Sequence, residues 1–282
     1  MFLYILVFIT GAVVGFLLAV LLGLWLMIPS LERSFVFRPS LEISRTPETF
    51  GVPFERHRID STDGCTLDAW HVCPPEPTAS LIYFHGSGGN LSSLAETFAM
   101  YYLSGLEVFG FDYRGYGESS GTPSEEGLYA DGLAAVEYFN RNLRSKDRPL
   151  IYIGRSLGGP VSAYVARENP PRGLVLESTF PSKESLISER RLLRLVRFFM
   201  KCRFNTAEYL KIHEFPVMIV HGDRDATVPL KQGQKLYMKL GGPRTFLRIP
   251  GAGHNDLHSR DSELYLDSIV SFAEGIRPAT VH

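Results

Sequence analysis

Six short apolar runs recur along the chain, at residues 81–84, 108–111, 150–153, 174–176, 217–220 and 245–249. Each is too short for a helix and rich in Val, Ile, Leu or Phe, so each reads as a strand buried on both faces. Longer stretches of helical composition lie between them, at 91–103, 125–142, 156–167, 230–240 and 261–273. Doubly covered strands alternating with helices predict a mostly parallel sheet with helices on both sides. Ahead of the alternation, residues 54–59 and 65–72 read as an antiparallel pair joined by the turn sequence Ser61-Thr62-Asp63-Gly64. From Pro181 to Phe215 the alternation breaks. This insertion contains Ser188 to Lys201, a basic amphipathic helix candidate with four arginines in its first ten residues. It reads as a small lid whose apolar face covers a site above the sheet, its charges facing water or anionic lipid headgroups.

The N-terminus follows a different pattern. Phe2 to Ile28 carries no charged side chain, and as a helix it would be roughly 40 Å long against a bilayer core of about 30 Å. Met1-Phe2-Leu3 lacks the basic start of a cleavable signal. The expected organisation is therefore a transmembrane anchor at 1–30, a polar connector at 31–52 and a single α/β domain at 53–282, with the lid at about 181–215. Pro39, Pro47 and Pro53 interrupt any helix in the connector. The nearest basic residues, Arg33, Arg38 and Arg45, follow the span. The positive-inside rule then leaves the domain in the cytoplasm.

Composition narrows the function classes. The chain is 45% hydrophobic and 21% charged with a net charge of -1, so no global field draws it to nucleic acid. Cys65, Cys73 and Cys202 show no C-x-x-C or zinc spacing. Free thiols and a Cys65–Cys73 disulfide both stay open.

The candidate chemistry sits at the ends of the expected strands. Gly154-Arg155-Ser156-Leu157-Gly158 lies between a strand and a helix and fits G-x-S-x-G, which places a serine on a tight, strained turn. A serine hydroxyl needs a base, an orienting acid and an oxyanion site to act as a nucleophile at neutral pH. After 217–220 an acidic loop carries Asp223 and Asp225, and after 245–249 the loop Gly251-Ala252-Gly253 presents His254. The chain order Ser156, Asp225, His254 is one of the known triad orders. Asp225 is preferred to Asp223, which at the first turn of its loop reads as a cap on the loop backbone. His258 reads as a surface residue. The glycine-rich loop Gly86-Ser87-Gly88-Gly89 supplies accessible backbone N–H groups. With the N–H of Leu157, that of Ser87 is the expected oxyanion donor, and His85 reads as a support beneath the loop. No G-x-x-x-x-G-K-[ST] accompanies that loop, which argues against a phosphate cradle.

With these landmarks the chain resembles the serine α/β-hydrolases from Val52 onward. The matching stretches are His85-Gly86-Ser87-Gly88-Gly89-Asn90, Gly154-Arg155-Ser156-Leu157-Gly158-Gly159, His221-Gly222-Asp223-Arg224-Asp225 and Gly253-His254-Asn255-Asp256. A fifth runs from Phe111 to Glu125 and contains Tyr113-Arg114-Gly115-Tyr116-Gly117. With an N-terminal anchor, that stretch looks like the membrane-anchored branch related to fungal bud-emergence proteins and animal protein depalmitoylases. The resemblance implies a sheet of about eight strands, with Ser156 as nucleophile, His254 as base and Asp225 as its partner. It implies no substrate, since the fold hosts many activities; the first expectation is a membrane-tethered hydrolase of an acyl ester or thioester that needs no metal or cofactor. An amidase or aminopeptidase would use the same machinery, and a non-catalytic binding protein would be expected to have lost one of the three residues.

Overall fold

The computed structural model describes residues 2–188 and 201–276, the side chains of 2–3, 6–7, 21 and 24–33 excepted. The described residues form ten strands: β1 (Arg38–Pro39), β2 (Glu55–Asp60), β3 (Thr66–Val72), β4 (Ala79–Phe84), β5 (Gly88–Gly89), β6 (Leu106–Phe111), β7 (Leu150–Arg155), β8 (Gly173–Glu177), β9 (Val217–Gly222) and β10 (Arg244–Ile249). Eight of them form one sheet in the order β10-β9-β8-β7-β4-β6-β3-β2, in which β3 alone runs against the rest. The apolar runs in the sequence mark the centres of these strands. β7, β8 and β9 continue one or two residues further at their C-terminal ends, where buried polar groups such as Arg155, Glu177 and His221 stand.

Alternation along β4 shows how the sheet is covered. Ile82 and Phe84 join a core with Leu128 and Phe139 of α3 (Glu125–Asn142) and Val161 of α4 (Gly158–Glu168). Leu81 and Tyr83 point to the other face, where Phe98 of α2 (Ala95–Leu103) meets Tyr265 and Ile269 of the helix Ser262–Gly275. Period-two side chains on a doubly covered strand require this division, and all six residues of β4 are buried. α3 starts where the sequence places it, with the Ser124 hydroxyl accepting from Gly127 N (3.0 Å).

The N-terminal helix, the connector and the lid each bear on an expectation from the sequence. Residues 2–36 form one helix, α1, yet among the described residues no helix is long and apolar enough to cross a membrane. The connector is not merely a polar link, because Arg38–Pro39 pairs in parallel with Gly88–Gly89. The basic helix candidate at 188–201 falls, apart from its two end residues, outside the described residues. Cys65 and Cys73 flank β3 at opposite ends, and both are free.

Candidate active site

The candidate residues gather where parallel sheets place their sites, beyond the C-terminal ends of the strands. Ser156 follows β7 directly and takes φ +52°, a left-handed conformation that a side chain adopts only under constraint. The constraint is visible on both sides. Its N–H donates to Glu177 O (2.8 Å), and its carbonyl accepts from Thr179 Oγ1 (2.7 Å) and Gly159 N (3.1 Å). The flanking glycines are obligatory. A Cβ on Gly158 would stand 1.9 Å from Phe84 O, and one on Gly154 would stand 2.0 Å from Ser162 Oγ and 2.7 Å from Gly158 O. This bend delays α4 until Gly158, two residues later than the sequence pattern predicts.

His254 and Asp225 arrive on the loops after β10 and β9. His254 Nε2 lies 3.1 Å from Ser156 Oγ, and Nδ1 lies 2.7 Å from Asp225 Oδ2. The other Asp225 oxygen accepts from the backbone N–H of Thr227 (2.9 Å) and Val228 (2.8 Å). Burial pushes the Asp225 carboxyl up, but the His254 hydrogen bond and charge with the Val228 N–H outweigh it and hold the group below its usual range. Asp225 therefore stays ionised at neutral pH and fixes the imidazole so that Nδ1 donates and Nε2 faces the serine. Asp223 is occupied elsewhere, bonded to Arg248 Nη2 (2.6 Å) and Gly251 N (2.7 Å). Of the two acids, only Asp225 meets the histidine.

The loop carrying Ser87 abuts Ser156, since a Cβ on Gly86 would come 3.6 Å from Ser156 Cβ. Leu157 is buried at the start of α4, next to Ser156. The loop is clamped from three directions. Tyr116 Oη donates to Ser87 O (2.9 Å), Arg38 N donates to the same carbonyl (2.8 Å), and Tyr113 Oη donates to His85 O (3.2 Å). The Tyr113-Arg114-Gly115-Tyr116-Gly117 stretch is thus a support for the loop carrying Ser87. It is itself anchored by Arg114 Nη2 on the buried Asp131 Oδ1 (2.7 Å). His85 is buried beneath the loop, with Nδ1 2.8 Å from Gly86 O, and burial pushes it down to about 4 against the pull of that carbonyl. It is a neutral strut and does not reach the serine.

Arg155 was not apparent as a site residue from the sequence. Its side chain is buried, and Nη2 donates to His254 O and Asn255 Oδ1, both at 3.2 Å. It faces Glu177 across the β7–β8 pairing. The Glu177 carboxylate is fully enclosed and takes hydrogen bonds from Tyr83 (3.0 Å) and Tyr265. The variable position of the G-x-S-x-G stretch therefore ties the serine's strand to the histidine's loop. A cavity of about 760 Å³ opens over these groups, and Ser156, Ser87, His254, Thr227 and His258 line it.

Residues of metal-ligand type occur elsewhere. Glu55, His57 and His71, and His71, Cys73 and Glu107, form two overlapping triads with ligand atoms within 4.8 Å of one another. They belong to the β2–β3–β6 end of the sheet, across from β9 and β10. Glu107 already accepts from His71 Nε2 (2.9 Å) and Ser80 Oγ.

The family model Hydrolase_4, described as serine aminopeptidase, matches residues 75–211. An uncharacterized protein of Mycobacterium tuberculosis is 31% identical over 265 residues, covering 92% of this chain and 93% of that protein. Protein bem46 of Schizosaccharomyces pombe is 32% identical over 238 residues, covering 80% of this chain and 79% of bem46. Among solved structures, an esterase of Pyrococcus furiosus superposes with a TM-score of 0.72 at 20% identity, over 86% of this chain and 98% of the esterase. That last likeness is one of fold.

Proposed function

This chain belongs to the α/β-hydrolase family that includes bem46, and from that membership we propose that it is a serine hydrolase cleaving an acyl ester or thioester. The observation that carries the reading is the continuous relay from Asp225 Oδ2 through His254 to Ser156 Oγ, with links of 2.7 and 3.1 Å. In this reading Ser156 Oγ attacks the carbonyl carbon while His254 Nε2 takes its proton. Asp225 holds the tautomer and stabilises the imidazolium. The backbone N–H groups of Ser87 and Leu157 receive the oxyanion, and no reorganisation is needed because Tyr116 and Arg38 already fix the loop. His254 then protonates the leaving group. Water, deprotonated by the same imidazole, releases the acyl group from Ser156.

A second reading, an aminopeptidase, draws on the description of the family model and on one residue: Glu96 lines the cavity and could pair with a substrate ammonium. The two readings separate on a panel of acyl esters, thioesters and aminoacyl amides tested on wild type and Ser156→Ala. Turnover of esters or thioesters that Ser156→Ala abolishes supports the first. Turnover restricted to amides with a free α-amine supports the second.

The sequence also supports a membrane tether, because 27 consecutive residues from Phe2 to Ile28 carry no charge. With Arg33, Arg38 and Arg45 following, the domain would face the cytoplasm. Carbonate extraction of membranes and protease protection of the full chain test both points; release by carbonate would remove the tether from the account.

A further inference from the structure

The connector carries two arginines into the cavity that holds Ser156 and His254. Arg38 stands on β1, where its N–H binds Ser87 O and Ser40 N binds Gly89 O (3.0 Å), and its Nη2 lies 3.4 Å from Ser87 Oγ. Asn90 Nδ2 fastens the following residues by donating to the carbonyls of Ser40 (3.0 Å) and Glu42 (2.8 Å). Arg45 is held by Nε donating to Ser92 O (3.3 Å) and by the Phe50 ring 5.9 Å from its guanidinium carbon. Among the described residues no carboxylate forms a salt bridge with either side chain, whereas Arg155, the third arginine of the cavity, is committed to the His254 loop. Of the described lining, Glu96 is the one carboxylate and Leu94 the one aliphatic side chain.

Leu94 is the one aliphatic side chain that the described lining offers a hydrocarbon chain, while two guanidinium groups suit an oxyanion-bearing ligand in forked geometry. Such pairs are weak in open water but strengthen as a bound substrate displaces solvent from the cavity. We propose that Arg38 and Arg45 form an anion subsite beside the oxyanion loop, and that the hydrolysed ester or thioester carries a carboxylate or phosphate close to its scissile carbonyl. The inference rests on the hydrolase reading and gives its substrate class. It also gives the connector a purpose: the segment that follows the N-terminal helix completes the substrate pocket.

Matched substrate pairs test this on the full chain in detergent. One pair is mono-p-nitrophenyl glutarate against p-nitrophenyl valerate, and the other is 1-butyrylglycerol 3-phosphate against 1-butyrylglycerol. The first reads a carboxylate on the acyl side, the second a phosphate on the alcohol side. In at least one pair the anionic member should have a kcat/KM about tenfold higher, the worth of one charge-assisted hydrogen bond. Arg38→Gln/Arg45→Gln should bring that ratio close to one, and Arg→Lys at both positions should restore part of it. Arg45→Gln alone, which leaves the β1 pairing intact, should move the ratio in the same direction if the double variant does not fold. A wild-type ratio at or below one in both pairs overturns the proposal, as does a ratio unmoved by the glutamine variants. If no substrate is turned over, the hydrolase reading fails, and calorimetric titration with glutarate and with inorganic phosphate decides the subsite. Binding lost in Arg45→Gln sustains it; absent or equal binding overturns it.

Discussion

Arg155→Met is the perturbation that most sharply separates a structural framework from an accidental contact. In the native chain the guanidinium makes two hydrogen bonds to the His254 loop and balances the enclosed Glu177 carboxylate. Hydrogen bonds from a charged donor contribute about 1.5–3 kcal/mol each, and stripping one partner from a buried charge pair costs about 3–5 kcal/mol. These contributions overlap. Because Asn255 is exposed and Arg155 and Glu177 form no direct salt bridge, the expected loss is at the lower end, about 3 kcal/mol at pH 8. The pH dependence gives the diagnostic sign. Burial raises the Glu177 carboxyl, and the charge of Arg155 with the Tyr265 and Tyr83 hydroxyls pulls it partly back. Without Arg155 it rises further, so the folded state binds a proton that the unfolded chain releases. Stability then falls as pH climbs from the ordinary glutamate value of about 4.3 towards the raised one, at up to about 1.4 kcal/mol per pH unit. The variant should therefore be less damaged at pH 5 than at pH 8, and adding Glu177→Gln should abolish the difference. Urea unfolding followed by tryptophan fluorescence at both pH values measures this, Trp70 being fully buried. A deficit below about 1 kcal/mol, or one independent of pH, would refute the linkage between Arg155, Glu177 and the His254 loop.

Two further outcomes follow from the site geometry. Asp225→Asn should leave the fold intact while lowering kcat by about four orders of magnitude, because an amide no longer selects the Nδ1–H tautomer; steady-state kinetics beside a far-ultraviolet spectrum checks it, and a loss under tenfold would argue against the assigned role. Gly158→Ala would press a methyl group against Phe84 O at 1.9 Å, so the start of α4 must separate from the loop leading to Ser87. The expected result is a stability loss of about 1–3 kcal/mol together with a kcat reduction of about a hundredfold, measured on the same preparation.

Much of this architecture could be read from the residues because the local signals agreed with the global fold. Strands β4, β6, β7, β8 and β9 are buried along their whole length, and continuous burial leaves the strongest imprint on sequence. Asp225 and His254 could be chosen because turn chemistry assigned Asp223 to its own loop and glycines freed the histidine. The missing parts are those created by distance in sequence. Nothing in the two residues Arg38–Pro39 announces that they pair with Gly88–Gly89, since a two-residue strand has no period to detect. The link from Arg155 to the carbonyl of His254 spans 99 residues and uses a position that the G-x-S-x-G pattern leaves free. The Tyr-Arg-Gly-Tyr-Gly stretch was visible as a landmark, but its role as a clamp on the oxyanion loop depends on where Tyr116 Oη meets Ser87 O. The N-terminal expectation rests on a long run without charge, a property that specifies a solvent rather than a packing partner.

Fluorophosphonate labelling tests, without knowledge of the substrate, whether Ser156 is an activated nucleophile. The detergent-solubilised full chain is treated with the probe beside Ser156→Ala and His254→Ala, and the modified peptide is located by mass spectrometry. An activated Ser156 gives stoichiometric labelling of wild type at Ser156, none in Ser156→Ala, and labelling slowed by at least about a thousandfold in His254→Ala. A folded wild-type chain that resists the probe, or labelling indifferent to His254, would contradict it.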